Sequence, residues 1–425
     1  MAILKFLLIF VVFPLYCSSA DVTDAKNAVC PNDCSCRPDY RQCKNFVSCG
    51  GWSNDTSVKV NAYTPAIDFL DLSGSSLSRL LNNAFNRLTK LIILDLSWNA
   101  ITSLPADAFT GLETLLILDL SENDMMTLTH NLFSGLSALK ELYLSNNRID
   151  TLEGNDLFTG LKSLNKLVFS ENYITKLKVN FTELSALEEL DLSQNLLPNL
   201  KTDTFTGLVN LTNLDLSKNK IKTLEGNTFN GLSALKELDL SGNSITKLVS
   251  NTFIGLDVLT KLDFTGNTIN ALDTNAFTGL AKLEHLKLSD KGITKLASGT
   301  FTGMDSLKIL ELSNNKISKL PGNAFFGLNK LEKLDLKDNE IETLVATVFN
   351  DLGELKELYL QNNQINIIAQ RAFEPFAASL TDLQLQGKKN TLQDYRDNTF
   401  YDLISLQRLY VRPFDTWSDV CPSLT

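Results

Sequence analysis

Acidic side chains recur at one position of a repeated sequence motif, and their spacing predicts a charged binding surface. The motif reads Leu-Asp-Leu-Ser at 94–97 and returns about every 24 residues. Carboxylates about 5 Å apart on neighbouring strands repel by roughly 0.8 kcal/mol per pair even in water, so a row of them favours a basic protein, a basic peptide or calcium as partner. The alternative is that the aspartate belongs only to the framework of the repeat. The candidate residues of this row are Asp95, Asp119, Tyr143, Asp191, Asp215, Asp239 and Asp263.

A second candidate site is apolar. Phe69, Ile93 and Ile117 stand just before the inward leucine of successive repeats, and Trp98 follows at the exit of one of these strands. An apolar patch with an exposed tryptophan on an otherwise polar surface is typical of a protein-binding hot spot. The competing interpretation is that a terminal cap or a glycan covers the patch.

Catalytic motifs are missing from the sequence. The chain has only two histidines, His130 and His285, about six repeats apart, and it contains no G-x-S-x-G, no H-E-x-x-H and no glycine-rich phosphate loop after a strand. An open, regular surface also offers no enclosed pocket in which the pKa values of two carboxylates would separate. We therefore expect a binding protein that is not an enzyme, with no cofactor and no resident metal.

These side chains must be positioned by a repeating unit, because the pattern L-x-x-L-x-L-x-x-N-x-L recurs with a period of 24 residues over 14 repeats. A period of 20 to 29 residues of this form predicts one short strand per repeat, stacked into a parallel sheet. The first strand leucines are Leu70, Leu94, Leu118, Leu142, Leu167, Leu190, Leu214, Leu238, Leu262, Leu286, Leu310, Leu334, Leu358 and Leu383, and a partial unit follows at Leu409.

Two further columns predict how the repeats hold together. Phenylalanine recurs in all 14 repeats, from Phe85 to Phe400, which indicates a buried spine opposite the strands. Asparagine fills the ninth position in 11 of the 14, and an amide there can bond the backbone of the neighbouring repeat. Ser75, Lys291 and Lys388 interrupt this asparagine ladder, which predicts local irregularity at those places.

The N-terminal end indicates export. Lys5 precedes an apolar run from Phe6 to Tyr16, and small residues follow at 18–20, as in a secretory signal peptide. The rest of the chain lacks an apolar run of membrane-spanning length, so we expect a protein secreted into the extracellular space without membrane insertion. The formal charge of -10 disfavours nucleic acid and favours a basic partner. Three glycosylation sequons begin at Asn54, Asn180 and Asn210.

Six cysteines remain after the signal peptide, and an oxidising compartment favours disulfides over zinc. The spacing C-x3-C-x-C at the start of the mature chain resembles the N-terminal cysteine cap of extracellular leucine-rich repeat proteins such as Slit, Toll-type ectodomains and variable lymphocyte receptors. The resemblance implies a Cys30–Cys36 bridge and leaves Cys43 and Cys49 as alternative partners of Cys34. One cap cysteine and Cys421 are then left over, which predicts a disulfide-linked homodimer. The cysteines concerned are Cys30, Cys34, Cys36, Cys43, Cys49 and Cys421.

The resemblance also implies an α/β solenoid: a curved leucine-rich repeat horseshoe of about 14 repeats with a parallel β-sheet on its concave face. We divide the chain into a signal peptide (1–20), an N-terminal cap and connection (21–66), the repeat array (67–405), and a partial last repeat with a degenerate C-terminal cap (406–425). Proteins of this family bind proteins or glycans on the concave face, so the expected function is immune recognition or cell adhesion and signalling. The alternatives are a structural matrix protein resembling small leucine-rich proteoglycans, or a truncated receptor ectodomain.

Overall fold

A computed structural model describes residues 35–37, 46–48, 67–387, 389–391, 400 and 403–411. The chain forms two compact units. Unit 1 comprises Met1–Leu196 with Gly207–Val209, and unit 2 comprises Leu197–Thr206 with Asn210–Thr425. The cysteines and the signal peptide of the sequence analysis lie outside the described residues, except that the backbone of Cys36 is part of a strand.

Unit 1 contains ten short strands. Those that carry the repeat leucines pair in parallel and in register, so that Leu70 stands beside Leu94 and Leu94 beside Leu118. The strands are β1 Ser35–Arg37, β2 Phe46–Ser48, β3 Phe69–Asp71, β4 Ile93–Asp95, β5 Ile117–Asp119, β6 Glu141–Tyr143, β7 Thr151–Gly154, β8 Lys166–Val168, β9 Lys176–Val179 and β10 Glu189–Asp191.

Unit 2 repeats this arrangement, with the leucine-bearing strands again parallel and in register. Its strands are β11 Asn199–Leu200, β12 Asn213–Asp215, β13 Thr223–Leu224, β14 Glu237–Asp239, β15 Lys247–Leu248, β16 Lys261–Asp263, β17 Ala271–Leu272, β18 His285–Lys287, β19 Ile309–Glu311, β20 Lys333–Asp335, β21 Thr343–Leu344, β22 Glu357–Tyr359, β23 Ile367–Ile368, β24 Asp382–Gln384 and β25 Arg408–Tyr410.

Each unit is therefore a parallel-strand solenoid, and the two together contain the 14 predicted turns. The segments opposite the strands are turns, and the described residues contain one 3-10 helix, Glu374–Phe376, and no α-helix. The helical part of the predicted α/β class is thus reduced to turns. The physical reason is length, because a 24-residue repeat leaves too few residues after its strand and its asparagine turn for a stable helix.

The phenylalanine spine is confirmed. The rings of Phe85, Phe109 and Phe133 stack in unit 1 with centroids 6.4 Å apart, and all three are buried. In unit 2 Phe229 stacks between Phe205 at 6.1 Å and Phe253 at 6.0 Å. Because these rings contact one another from repeat to repeat, the spine joins consecutive repeats on the side opposite the strands.

The asparagine ladder is also confirmed. The amide nitrogen of Asn147 donates to the carbonyl of Leu120 in the preceding repeat at 3.0 Å and to the carbonyls of Leu144 and Ser145 in its own turn. Its Oδ1 accepts the backbone N–H of Met125 at 3.1 Å. One buried side chain therefore satisfies backbone groups on two successive repeats, and it does so towards the repeat that precedes it.

That direction explains what happens at the three predicted interruptions. Ser75 is buried and would face the region before residue 67, most of which lies outside the described residues, so the irregularity predicted there stays a prediction; β3 and β4 remain paired after it. Lys388 is itself not described, but Asn390 takes over its role. The Oδ1 of Asn390 accepts the Ile365 N–H at 2.9 Å and its Nδ2 donates to the Leu360 carbonyl at 3.1 Å. The ladder thus continues beside Lys388 with altered spacing, because Asn390 reaches back 25 and 30 residues where Asn147 reaches back 22 and 27, which is a local irregularity as predicted.

At Lys291 the predicted irregularity is real. Strands β12, β14 and β16 form one paired series and β18 begins another, with no pairing between β16 and β18. The Leu240 N–H donates to the Asp263 carbonyl at 2.9 Å, and the Leu288 N–H donates to the Glu311 carbonyl at 2.8 Å. Within residues 67–387, the Phe264 N–H makes no equivalent hydrogen bond. We call this place the β16–β18 seam.

The seam follows from the lysine. In the repeat before the seam, Ile245 donates its N–H to Asn267 Oδ1 at 2.9 Å. In the next repeat the corresponding pair is Ile269 and Lys291, and a lysine side chain cannot accept the Ile269 N–H. The Lys291 side chain is only 8% exposed. Burial lowers the pKa of Lys291, since an ammonium group loses hydration inside the protein.

Replacing Lys291 with asparagine is therefore expected to stabilise the protein by about 1–3 kcal/mol, because Ile269 regains an acceptor and a poorly hydrated ammonium group is removed. Urea denaturation would measure the gain, and hydrogen exchange at the Ile269 amide should slow. Lys295→Asn is the control, since Lys295 is exposed and should leave both measurements unchanged. Equal stability of the Lys291→Asn variant and the wild type would contradict this account of the seam.

Candidate functional site

The side chains that flank each inward leucine point away from the core and form the outward face of the strands, which we call the strand face. Strand register aligns its residues in rows across the repeats. In unit 1, Asp71 stands beside Asp95, Asp95 beside Asp119, and Asp119 beside Tyr143. In unit 2, Asp215, Asp239 and Asp263 align in the same way, and Asp191 of unit 1 stands beside Val168. The predicted acidic row therefore exists within each unit.

The aspartates also have a structural role. In each case one carboxylate oxygen accepts the backbone N–H two residues later, which closes a local turn at the end of the strand. The bond measures 2.9 Å from Ser97 to Asp95 and 2.8 Å from Ser241 to Asp239. The same bond is made to Asp119, Asp191, Asp215 and Asp263. The repeated Leu-Asp-Leu-Ser motif is thus explained in part by the fold, and only the remaining carboxylate capacity is left for a partner.

Asp95 differs from the other members of the row. Burial, together with the charge of Asp119, raises its pKa to about 7, although the hydrogen bonds from Ser97 act in the opposite direction. The charge of Asp71 contributes in the same sense as that of Asp119. A carboxylate that is both poorly hydrated and repelled by its neighbours is stabilised by any partner that brings a positive charge.

The raised pKa predicts a pH-dependent stability. The folded protein holds the Asp95 proton up to about pH 7 and the unfolded chain releases it near 3.8, so the contribution of this group to stability falls between about pH 4 and pH 7 and stays low above. Asp95→Asn removes the penalty and keeps an acceptor for Ser97. We expect the variant to be about 2–4 kcal/mol more stable than the wild type at pH 8.

Urea denaturation at pH 8 and at pH 4 would check this prediction, since the two proteins should converge at the lower pH. Asp239→Asn is the matched control, because Asp239 occupies the same position of the motif and accepts the same backbone bond. A stability difference that does not change with pH would show that charge is not its cause.

Tyr143 is held rigidly on the strand face. Its hydroxyl donates to Glu141 Oε2 at 2.5 Å, within the same strand, and Glu141 is itself buried. Burial, the hydrogen bond to Glu141 and the nearby carboxylates raise the pKa of Tyr143 above its ordinary value, so the phenol stays neutral. The sequence identified Tyr143 but not the anchoring role of Glu141, although the alternation Glu-Leu-Tyr places both side chains on one face.

The apolar patch is smaller than predicted. Phe69, Ile93 and Ile117 do align on β3, β4 and β5, but Phe69 is only 8% exposed and Ile93 only 5%. Ile93 has a large apolar neighbour on each side at strand spacing, and such neighbours cover one another. The expectation of an exposed patch at Phe69 and Ile93 is therefore wrong, and Ile117 remains as the half-buried member.

Trp98 is exposed, with 56% of its surface accessible. It lies in the turn after β4 with φ at +56°, and its N–H donates to the Ser121 carbonyl at 3.1 Å. Equivalent turn positions hold small or polar residues such as Gly74 and Asn146, which tolerate this left-handed conformation better than an indole side chain does. A large apolar residue kept in an unfavourable conformation and in contact with water is a candidate for partner contact.

Other predicted sites can be placed only in part. The side chains of Cys30, Cys34, Cys36, Cys43, Cys49 and Cys421 and the Asn54 sequon lie outside what the structure describes. Asn180 and Asn210 are exposed, and the Asn180 side chain accepts the Thr182 N–H at 2.8 Å. Among the described residues, no three potential metal ligands come together, and no helix is long and apolar enough to cross a membrane.

Comparison with protein families gives a clear match. The family described as Leucine rich repeat matches residues 65–125, 90–149, 154–197, 185–245, 234–291, 282–341 and 330–389. A second leucine-rich repeat family matches residues 138–161. A search of curated protein sequences gave no significant match.

Solved structures share the fold. A structure of the Toll–Spatzle complex of Drosophila is 22% identical, covers 81% of this chain and 47% of that chain, and has a TM-score of 0.63. Its glycosylated form is 19% identical, covers 92% and 60%, and has a TM-score of 0.60. A TLR13 complex with single-stranded RNA, 24% identical over 80% and 59%, has a TM-score of only 0.41. The chain thus spans about half to three fifths of these larger proteins.

Proposed function

We propose, because the chain belongs to the leucine-rich repeat family, that it is an extracellular recognition protein that binds a basic protein partner through the strand face of unit 1. The leucine-rich repeat solenoid is typically a binding scaffold, so the proposal is of a non-enzymatic function. The observation that carries it is the row of Asp71, Asp95 and Asp119, which stand side by side on three adjacent strands. Burial and the neighbouring carboxylates raise the pKa of Asp95, the middle member, to about 7. A charge held at such a penalty on an exposed row favours a partner that compensates it.

The residues around Asp95 fit a protein partner. Tyr143 presents a ring whose hydroxyl is already anchored by Glu141, so little conformational entropy is lost when a partner packs against it. Ile117 adds half-buried apolar surface on the neighbouring strand, and Trp98 adds an exposed indole in the turn after β4. Aromatic anchors beside a charged group are the usual composition of an interface hot spot.

Charge supports a protein rather than a nucleic acid as partner. The net charge of -10 repels a phosphate backbone. The Toll structures with the same fold were solved with the protein Spatzle, and we extend to this chain only the idea of a protein ligand. Secretion, the cysteine cap, glycosylation and a disulfide-linked homodimer remain predictions from the sequence.

The proposal can be tested by proximity labelling with the secreted mature protein fused to a biotin ligase. Asp95→Asn and Ile117→Asp should each lose the labelled partners, with binding weakened about tenfold or more, whereas Asp239→Asn should retain them. The Asp95→Asn variant is informative because it should fold more stably while binding less. If collagen-like partners are labelled equally by every variant, the matrix alternative replaces this proposal.

A further inference from the structure

A second region of the strand face departs from the repeat pattern. Four of the six repeats of unit 2 that precede β22 place an acidic and a small polar side chain at the two outward positions around the second strand leucine, as in Asp239 and Ser241. The repeats of β22 and β24 instead place uncharged tyrosine and glutamine at both positions, and β25 places Tyr410 at the first, while the second, Arg412, lies outside the described residues. We call these residues the Tyr-Gln patch: Tyr359, Gln361, Gln384, Gln386 and Tyr410.

Strand register brings the patch together. Tyr359 stands beside Gln384 on the neighbouring strand, and Gln384 stands beside Tyr410 on the next. Gln361 and Gln386 follow two residues after Tyr359 and Gln384, on the same face. All five are half-buried, so they form one continuous surface rather than separate exposed side chains.

The charged groups around the patch are already paired. Lys333 Nζ lies 3.3 Å from Glu357 Oε2, and Arg408 Nη2 lies 3.1 Å from Asp382 Oδ2. Lys337 Nζ lies 3.6 Å from Asp335 Oδ2. Because these three cations each have a carboxylate partner, their charges are largely neutralised around the patch, and the exposed Lys389 lies beyond Gln386.

Tyr359 is anchored as Tyr143 is. Its hydroxyl donates to Glu357 Oε2 at 2.7 Å, and the Lys333 ammonium lies 4.8 Å from the centre of its ring. Burial and the hydrogen bond to Glu357 raise the pKa of Tyr359 above its ordinary value, so the hydroxyl remains a neutral donor. The ring is thereby fixed before any ligand arrives.

The glutamine amides carry unused hydrogen-bonding capacity. Within the described structure, Oε1 of Gln361 and Oε1 of Gln386 are buried and accept no hydrogen bond. The Gln384 amide reaches Asp382 Oδ1, and the Gln386 amide reaches Gln384 Oε1, only at 3.4 Å. Each buried unpaired acceptor costs about 1–3 kcal/mol, so a ligand that supplies donors would be favoured. The last torsion of glutamine is soft, so these amides can turn towards it.

We propose that the Tyr-Gln patch binds a neutral saccharide. Sugar hydroxyls both donate and accept, which matches the unpaired amide oxygens of Gln361 and Gln386. The apolar C–H face of a pyranose packs against a tyrosine ring. A charged peptide fits the patch less well, because Lys333, Lys337 and Arg408 already have carboxylate partners. This site is separate from the one that carries the proposed function, and either can fail without the other.

The test uses the full-length secreted protein on an array of neutral oligosaccharides built from mannose, galactose, glucose and N-acetylglucosamine, with heparin and poly-lysine as charged probes. Isothermal titration with the best-bound oligosaccharide then gives the Kd. The double variant Gln361→Leu, Gln386→Leu should bind at least about tenfold more weakly, because its amides are gone, and should unfold at the same temperature as the wild type or higher.

Two controls isolate the site. Gln194→Leu removes an exposed glutamine of unit 1 and should leave saccharide binding unchanged, as should Asp95→Asn. Should the double variant fail to fold, Gln386→Glu keeps the side-chain shape and replaces the neutral amide with a charge, with the same expected loss. The proposal is overturned if no neutral oligosaccharide binds at millimolar concentration, if the double variant binds as well as the wild type, or if only heparin or poly-lysine binds.

Discussion

Replacing Asn147 with alanine is expected to lower the free energy of unfolding by about 3–5 kcal/mol, since several buried backbone groups lose their partner at once. The side chain donates to the carbonyls of Leu120, Leu144 and Ser145 and accepts the N–H of Met125. Alanine fills none of these roles, and the lost bonds include those that connect two consecutive repeats. Urea denaturation of the wild type and the variant would measure the loss.

Asn146→Gly provides the control. Asn146 is the next residue in the chain, but it is exposed, and its side chain bonds only Glu122. Glycine accepts the left-handed conformation of this position, where φ is +50°. We expect a change below about 1 kcal/mol. Hydrogen exchange at the Met125 amide should accelerate in Asn147→Ala alone, and equal effects of the two substitutions would argue against the ladder as a source of stability.

Replacing Phe229 with alanine should cost about 3–5 kcal/mol, because it opens a cavity in the spine of unit 2. The ring is fully buried and stacks between Phe205 and Phe253 at 6.1 and 6.0 Å. Both neighbours lose a contact face, and the surrounding repeats can relax only partly. Thermal and urea unfolding of the purified variant would check the size of the effect.

The chain contains a matched control in Phe326. It follows the spine residue Phe325 directly but is 50% exposed, so Phe326→Ala should change the stability by less than about 0.5 kcal/mol. The double variant Phe229→Ala, Phe253→Ala should lose less than the sum of the two single variants, since the rings share one contact. Equal losses at Phe229 and Phe326 would show that the aromatic column is not the core of the solenoid.

Much of the fold could be predicted from the sequence. The inward leucines, the stacked phenylalanines and the asparagine ladder all appear where their spacing places them, because each repeat can bury its apolar side only against the next one. Even the β16–β18 seam was foreseeable, since Lys291 cannot supply the acceptor that the Ile269 N–H requires. Periodicity alone determines these features, and no distant contact is needed to explain them.

The candidate sites were less predictable. The sequence showed equivalent aspartates at positions 95 and 239, but only the structure shows that burial and neighbouring carboxylates raise the pKa of Asp95 to about 7. It also predicted an exposed patch that includes Ile93, which side-by-side packing on adjacent strands buries. These properties depend on the neighbours across the sheet, which one repeat does not reveal.

The sequence by itself therefore determined the solenoid, its core and the face that meets solvent, because a fixed period decides the direction of each side chain. The tertiary structure decided which members of that face are poorly hydrated, paired or left without a partner. It showed that Asn390 replaces the missing ladder residue and that the amide oxygens of Gln361 and Gln386 accept no hydrogen bond. The physical reason is that the burial, the pKa and the hydrogen bonds of one residue depend on the side chains of adjacent strands. Those side chains become neighbours only when the repeats stack.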